Sequence, residues 1–423
     1  MATATETIES SSTRDLRVNG ERLLRDLADL SRIGATPEGG VSRPALSEAD
    51  MAARDWFRQR AEAAGLSVRV DGIANISATL PGPTPDAPLI LIGSHMDTVP
   101  NGGRYDGALG VIAALEAART INESGVDFPC AVEVMSFTDE EGRWGGLLGS
   151  RATTGMLSAG DFSHPRGDKN DFVAAMQLAG VTRETALAAQ RDFSNVKAWV
   201  EVHVEQGTRL EESQHQVGIV TGIVGIASYW LTFKGRADHA GTTPMDRRVD
   251  ALRGVVEFVR QARELVMNRF NPGRINCGIV EVSPGAFNII PERARLAVEF
   301  RHEEAARLEA MREAIMSLAL HVVEVEGLGL EVESVGYEDP ALLSRSVHSA
   351  IEGACGTLGL SHAHMASYAG HDTQIMAHKT QAGMFFVPSV MGASHSPREF
   401  TRDEDCVNAG NVMLHALIRL GES

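Results

Sequence analysis

Cysteine is sparse and scattered in this sequence: Cys130, Cys277, Cys355 and Cys406 are the only four among 423 residues. Their spacing is not that of a zinc knuckle and their density is far below that of a disulfide scaffold, so a reducing, cytoplasmic setting is expected. Long apolar runs are missing as well. No stretch approaches the ~20 residues needed to cross a bilayer, and Met1 to Arg14 lacks the apolar core of a signal peptide, so no membrane association is expected. Positive charge is in deficit, with 39 Lys and Arg against 56 Asp and Glu and a formal net charge of −17. Nucleic acids and anionic membranes bind basic surfaces, so neither is an expected partner. Internal repeats are absent, and compositional bias is confined to the Ser/Thr-rich start and the turn from Pro81 to Pro88.

What is present reads as a soluble globular protein, with 43% hydrophobic and 22% charged residues. The length suits two domains, or one with an insertion. The first third alternates helical and strand patterns: a helix over Ala45–Ala64, a short apolar strand over Leu89–Gly93 and another over Cys130–Phe137. That alternation predicts an α/β layer with most strands buried on both faces and sites at strand C-terminal ends. From about Ile226 the order becomes strand (Ile226–Lys234), helix (Asp250–Met267), strand (Ile275–Val282), strand (Ala294–Arg301), helix (Glu303–Glu326), strand (Leu328–Val335). This βαββαβ order describes a ferredoxin-like unit able to sit as an insert. The expected division is a disordered tail over 1–14, a catalytic domain over 15–222 and 338–423, and an inserted domain over 223–337.

Chemistry-bearing residues gather at the predicted strand ends. After the strand Leu89–Gly93 come Ser94-His95-Met96-Asp97 and then Gly102-Gly103-Arg104-Tyr105-Asp106-Gly107. An imidazole and a carboxylate are usual ligands of a borderline cation, and Asp97 is suited to hold the far ring nitrogen of His95. Taken alone, the segment also fits a polar turn whose acids cap the helix beginning near Ala108. The next strand ends in Asp139-Glu140-Glu141-Gly142. Adjacent carboxylates repel unless a cation lies between them, and two roles then separate: one binds metal while its neighbour shuttles a proton. In Trp199–Gln206 a period of two puts Val200, Val202 and Val204 on one face and Glu201, His203 and Glu205 on a polar face. His395 lies in the small-residue loop Gly392-Ala393-Ser394-His395-Ser396-Pro397. Each segment is weak by itself; three histidines and two carboxylates together are what two metals sharing one carboxylate require.

These motifs, with His203-Val204-Glu205-Gln206-Gly207, His239-Ala240-Gly241-Thr242-Thr243-Pro244-Met245 and Gly370-His371-Asp372, resemble the hydantoinase/carbamoylase amidases over nearly the whole chain. That family is a branch of the dinuclear-zinc carboxypeptidases and aminoacylases. The bridging Asp of the peptidase branch lies some thirty residues past the first His, whereas Asp106 follows His95 by eleven. The resemblance implies a zinc-peptidase-like catalytic domain with a mixed sheet flanked by helices, and a ferredoxin-like lid and dimerisation domain. It implies two divalent ions, zinc foremost and manganese, cobalt or nickel also suited. His95, Asp106 and His203 would hold one ion, and Asp106, Glu141 and His395 the other. It further implies Glu140 as general base, Gln206 and His239 at the ureido group, and Asn288 and Arg301 on a substrate carboxylate. An Arg fork suits a carboxylate, although Arg301 also fits an ion pair with Glu303 or Glu304. The lid is expected to pair edge to edge in a homodimer and to close about hinges near Gly222–Gly225 and Val335–Pro340.

The expected reaction is hydrolysis of the ureido C–N bond of a small carboxylate such as an N-carbamoyl-L-amino acid, yielding amino acid, carbon dioxide and ammonia. Allantoate, 3-ureidopropionate (the β-ureidopropionase substrate) and ureidoglycolate are the nearest alternative substrates; an aminoacylase or dipeptidase and a non-catalytic binding protein are more distant. One departure from the family pattern is local. The loop Gly142-Arg143-Trp144-Gly145-Gly146-Leu147 before Leu148-Gly149-Ser150 is about two residues short, which is expected to reshape the pocket wall.

Overall fold

The computed structural model describes residues 11–423, so the expected tail falls mostly outside the described residues, while Ser11–Arg14 form one helical turn. The described chain carries the strands β1 (Ser67–Val70), β2 (Ile76–Leu80), β3 (Leu89–His95), β4 (Ala131–Phe137), β5 (Val196–Val204), β6 (Val217–Ile223), β7 (Gly225–Lys234), β8 (Arg274–Ser283), β9 (Arg293–His302), β10 (Gly329–Glu338), β11 (Ala341–Leu342), β12 (His362–Ser367) and β13 (Ala382–Val387). Two compact units result. One holds residues up to Thr221 together with Leu343–Met365 and His371–Ser423; the other holds Gly222–Leu342 with Ala366–Gly370.

In the first unit the sheet runs β1-β2-β4-β3-β5-β13-β6, with β12 on β6. Its centre, β4-β3-β5-β13, is parallel, and antiparallel pairs flank it. Parallel strands are covered on both faces, so they read as apolar runs: Ile90, Leu91 and Ile92 are all fully buried. The Ala-rich helix Ala108–Ser124 packs on this sheet with buried residues all round its circumference, and it stops at Gly125 in the left-handed conformation. The helix Asp403–Glu422 is likewise buried along most of its length. Because β3, β4, β5 and β13 are parallel neighbours, their C-terminal ends lie together at one edge. His95, Thr138–Glu141, Glu205–Gln206 and the segment after Val387 all begin there.

The second unit has four antiparallel strands ordered β10-β7-β9-β8, with helices Ala251–Arg269 and Ala305–Glu326 between them in the chain. Alternate residues explain the single apolar face: Ala227, Tyr229, Leu231 and Phe233 of β7 and Ala294, Leu296, Val298 and Phe300 of β9 are buried. The helices meet that face through Val255, Phe258, Ala262 and Val266 and through Leu308, Met311, Ile315 and Ala319, at helical spacing. Ala366–Gly370, which the linear reading assigned to the catalytic part, counts with this unit. The Ser367 carbonyl accepts from Val224 N–H, the Tyr368 carbonyl accepts from the Arg301 guanidinium, and Arg274 lies over the Tyr368 ring.

Candidate metal centre

Five side chains from the ends of β3, β5 and the loops beside them converge in the first unit. His95 ends β3 and is fully buried; His203 lies near the end of β5 and is 1% exposed. Asp106 reaches them from the turn before the helix Ala108–Ser124. Its Oδ1 lies 3.0 Å from His203 Nε2 and 3.6 Å from His95 Nε2, while its Oδ2 lies 3.3 Å from His395 Nε2. His395 Nε2 is also 3.4 Å from Glu141 Oε2. Two ligand-like groups therefore share Asp106: His95, Asp106 and His203, and Asp106, Glu141 and His395. Glu140 belongs to neither group and sits with Oε2 3.6 Å from His95 Nε2.

The imidazoles are held with Nε2 toward the centre. His95 Nδ1 lies 3.0 Å from the Asp97 carbonyl and His203 Nδ1 2.9 Å from the Val204 carbonyl, contacts that put each proton on Nδ1 and leave a lone pair on Nε2. Asp97 thus acts on His95 through its backbone. Its carboxylate Oδ1 is 3.7 Å from the ring nitrogen, and its two oxygens instead accept the N–H groups of Glu140 and Glu141 at 3.3 Å each. This corrects the expected carboxylate–imidazole pair: where the chain turns off β3, the carbonyl two residues on falls against the ring. Gly107 is required here, because its φ is +62° and a Cβ would lie 2.4 Å from His95 Nε2.

Charge is crowded. Asp106 is buried, which raises its pKa, but His203 outweighs that and holds the carboxyl well below the ordinary range. Burial, followed by the charges of Asp372, Glu141 and Asp106, pushes Glu140 well above it. Burial and then Asp106 push Glu141 to about 8. Burial drives His95 down to about 4. In His203 burial is outweighed by Asp106, and its pKa rises to about 9. A divalent pair fits these residues. His95 Nε2 is buried with no hydrogen-bond partner, and the donors are the imidazole and carboxylate groups that zinc takes.

Several residues that the sequence reading left without a role build this site. Glu399 is 2% exposed; its Oε1 accepts the N–H groups of Tyr105 at 2.8 Å and Asp106 at 3.0 Å, and its Oε2 accepts the Ser394 hydroxyl at 3.1 Å. Ser394 also lies 3.0 Å from Asp106 Oδ2, so one carboxylate ties the turn of Asp106 to the loop of His395. A Cβ at Gly103 would fall 1.9 Å from Glu399 Oε1. Asp139, buried and at φ +59°, accepts N–H groups from Trp144, Gly145 and Gly146. The short loop therefore folds back on the first acid of the Asp-Glu-Glu run. Its Trp144 is buried beside Phe172, with Nε1 donating to the Ala45 carbonyl at 3.0 Å. Asn75 Oδ1 accepts Thr138 N–H at 2.9 Å from behind. Glu201 is fully buried, accepting from Ser94 Oγ and from the Thr373 amide and hydroxyl. The ring of His371 lies 4.7 Å from that of His203.

Gln206, expected at the substrate, has Nε2 2.8 Å from Asp106 Oδ2. His239, Asn288 and Arg301 lie in the second unit. His239 and Asn288 are exposed on adjacent segments joined by Ala240 N–H to the Asn288 carbonyl. His239 Nδ1 accepts the amides of Gly241 and Thr242, which puts its proton on Nε2. Arg301 pairs with Glu299 rather than Glu303 or Glu304: Nε and Nη2 both reach Glu299 Oε1, at 2.9 and 2.7 Å. Residues i and i+2 of a strand share a face, which is why Glu299 wins.

The family model described as peptidase family M20/M25/M40 matches residues 91–419. The N-carbamoyl-L-amino acid amidohydrolase of Geobacillus stearothermophilus is 36% identical over 408 residues, covering 96% of this chain and 99% of that protein. The chain belongs to the hydantoinase/carbamoylase amidases of the M20/M25/M40 family. Allantoate amidohydrolase of Escherichia coli (strain K12) is 31% identical, covering 92% of this chain and 95% of that protein. A solved hydantoinase/carbamoylase family amidase from Burkholderia multivorans matches with TM-score 0.88 and 33% identity, over 96% of this chain and 99% of that one. As a member of this family, the chain is an amidohydrolase acting on C–N bonds. No described helix is long and apolar enough to cross a membrane.

Proposed function

We propose that the protein hydrolyses the ureido C–N bond of an N-carbamoyl-L-amino acid, using two divalent ions, zinc foremost, held by His95, Asp106 and His203 and by Asp106, Glu141 and His395. The observation that carries this reading is the division of Asp106, one oxygen toward each histidine group, with the unliganded Glu140 beside it. When bound, the ions supply an acidified water and a Lewis acid for the carbonyl. Glu140 takes the proton of the attacking water and returns it to the leaving nitrogen. Asp97 holds the backbone of Glu140 and Glu141 so that base and ligand keep their separate places. His239, with its proton on Nε2, is suited to donate to the developing oxyanion, and Gln206 to orient the ureido group. Arg301 offers the fork for the substrate carboxylate, with Asn288 beside it. N-carbamoyl-L-amino acid amidohydrolases among the relatives support this substrate class.

The exposed edge strand β8, with Ile279 and Val280 about half exposed, supports a homodimer through the second unit. Four free cysteines support a reducing, cytoplasmic setting. The test of substrate is ammonia release by the zinc- or manganese-loaded protein from N-carbamoyl-L-amino acids, 3-ureidopropionate and allantoate, beside an N-acetyl amino acid and a dipeptide assayed for free amine. Release from the carbamoyl amino acids is expected. Turnover of allantoate alone, or of the acetyl or peptide compounds alone, overturns the substrate assignment.

A further inference from the structure

The link from His95 to Asp106 is only eleven positions long, and a segment near the start of the chain grips it. Val41 and Gly102 exchange backbone hydrogen bonds at 3.0 and 2.8 Å, and Asn101 N–H donates to Ser42 Oγ at 2.7 Å. The two backbones lie so close that a Cβ at Gly40 would fall 2.5 Å from Asn101 Oδ1. Arg43 continues the grip. Its N–H donates to Thr98 Oγ1 at 2.8 Å, Thr98 N–H donates to the Arg43 carbonyl at 2.9 Å, and the Thr98 hydroxyl donates to the Val41 carbonyl at 3.2 Å. The Arg43 side chain turns inward and is 1% exposed, yet among the described residues it bonds no carboxylate. Nη1 donates to the carbonyls of Leu30 at 3.1 Å and Ile33 at 2.8 Å, at the C-terminal end of the helix Gly20–Ser31, where helical partners run out and the dipole favours a cation. Nε donates to the Met96 carbonyl at 2.6 Å. Burial lowers the guanidinium pKa to about 10, which leaves it charged at neutral pH.

We propose that Arg43 is a positioning residue for the ion of the His95 group, acting through the peptide between Met96 and Asp97; the inference rests on the metal centre proposed above. That peptide is planar, so the bond from Nε to the Met96 carbonyl also sets the Asp97 amide. The carbonyl of the same Asp97 is the one 3.0 Å from His95 Nδ1, the contact that aims Nε2 at the centre. The anchor on the helix Gly20–Ser31 is thus passed to a metal ligand in two backbone steps. A guanidinium suits this task because its Nε and Nη1 donors diverge to carbonyls of separate segments from one rigid plane. A lysine ammonium, a single point on a flexible stem, does not hold all three in place.

The test measures Zn2+ affinity by chelator competition in full-length H395A, the background expected to keep only the ion of the His95 group, with and without R43K. R43K is expected to weaken that ion about 10–100-fold, as the loss of supporting residues of metal ligands does. The visible bands of Co2+ in the same site should shift with it, reporting a turned imidazole. L27A removes a buried side chain of the same helix and is the control for stability alone. It is expected to lower Tm while leaving Zn2+ affinity and the Co2+ spectrum unchanged. Should R43K fail to fold by circular dichroism, T98V carries the test: it exchanges the hydroxyl between Arg43 N–H and the Val41 carbonyl for a methyl group, and a roughly three- to tenfold weakening is expected. Unchanged affinity in R43K, or in T98V where R43K does not fold, overturns the role of Arg43, and so does an L27A variant that weakens the ion as much. A parent protein that binds no zinc at all overturns the metal centre itself instead.

Discussion

His95 and His203 are buried, each Nδ1 set against a backbone carbonyl, whereas His239 stands exposed with its Nδ1 receiving two amides of its own turn. The same contrast runs through the carboxylates and the guanidinium. Asp106, Glu140 and Glu141 are fixed by Glu399, Ser394 and Asp97, while the partly exposed Arg301 is held by a partly exposed glutamate, Glu299, and by the Tyr368 carbonyl. On the reading proposed above, the first unit carries chemistry set by burial and backbone, and the second carries recognition groups on loops and one strand. On that reading the difference separates catalysis, set by buried groups, from recognition, set by exposed ones. The supports of the metal groups are shared between distant segments, so one substitution there disturbs several contacts, whereas His239 contacts only its own turn.

The largest effect is expected at Glu140. E140Q should lose roughly a thousandfold in kcat with both ions retained, read by steady-state kinetics alongside metal counting, because a general base and acid contributes about 10²–10⁴. Metal loss in that variant would move Glu140 into the liganding set. R301A should raise KM about a hundredfold at unchanged metal content, the size of a charge-assisted fork. A fall in metal content there would erase the division between the units. E399A should weaken metal binding about 10–100-fold in a chelator competition, as supporting residues of metal ligands do. E399Q should stay near wild type, since its oxygen can take both amides and its NH2 can donate to Ser394. Equal losses in both variants would make the charge of Glu399, rather than its placement of Asp106, the operative feature.

Removal of metal should expose the crowding as a pH dependence. Glu141 is raised from 4.5 to about 8, so its contribution to stability is complete below 4.5 and is lost as pH rises through 8. His203 is raised from 6.5 to about 9, so its contribution is complete below 6.5 and is lost as pH rises through 9. Both act in the same direction. The metal-free protein should lose a few degrees of Tm between pH 6 and pH 9 in scanning calorimetry, roughly, and the loaded protein much less. A metal-free Tm that climbs over this range contradicts the assignment. The smallest effect is expected at Glu299. E299Q releases Arg301 from a partly exposed ion pair worth about 0.2–1 kcal/mol and should lower KM by about two- to fivefold.

Strand ends were the part of the site most legible in the sequence, because an apolar run followed by His or Asp-Glu-Glu marks both the strand and its exit. The βαββαβ order was legible for the same reason: period two and period 3.6 alternate cleanly from Ile226 to Glu338. The polar face of β5 was read less well. Glu201 and His203 alternate with valines as on a half-solvated strand, but β5 is a central parallel strand covered on both sides, and its polar face is interior. Glu399 was silent, since it follows a Pro-containing turn and meets Asp106 only through the closing of the sheet nearly three hundred residues away. Asp97 was assigned to the correct neighbourhood but through its carboxylate, because spacing alone does not distinguish a side-chain oxygen from a carbonyl.

The central claim is that one carboxylate, Asp106, joins two ions. Electron paramagnetic resonance of the protein loaded with two equivalents of Mn2+ tests it most directly. The account predicts the signal of an exchange-coupled pair, lost in H395A as the second ion leaves. A spectrum at two equivalents made only of isolated Mn2+ would contradict the shared carboxylate and the mechanism built on it.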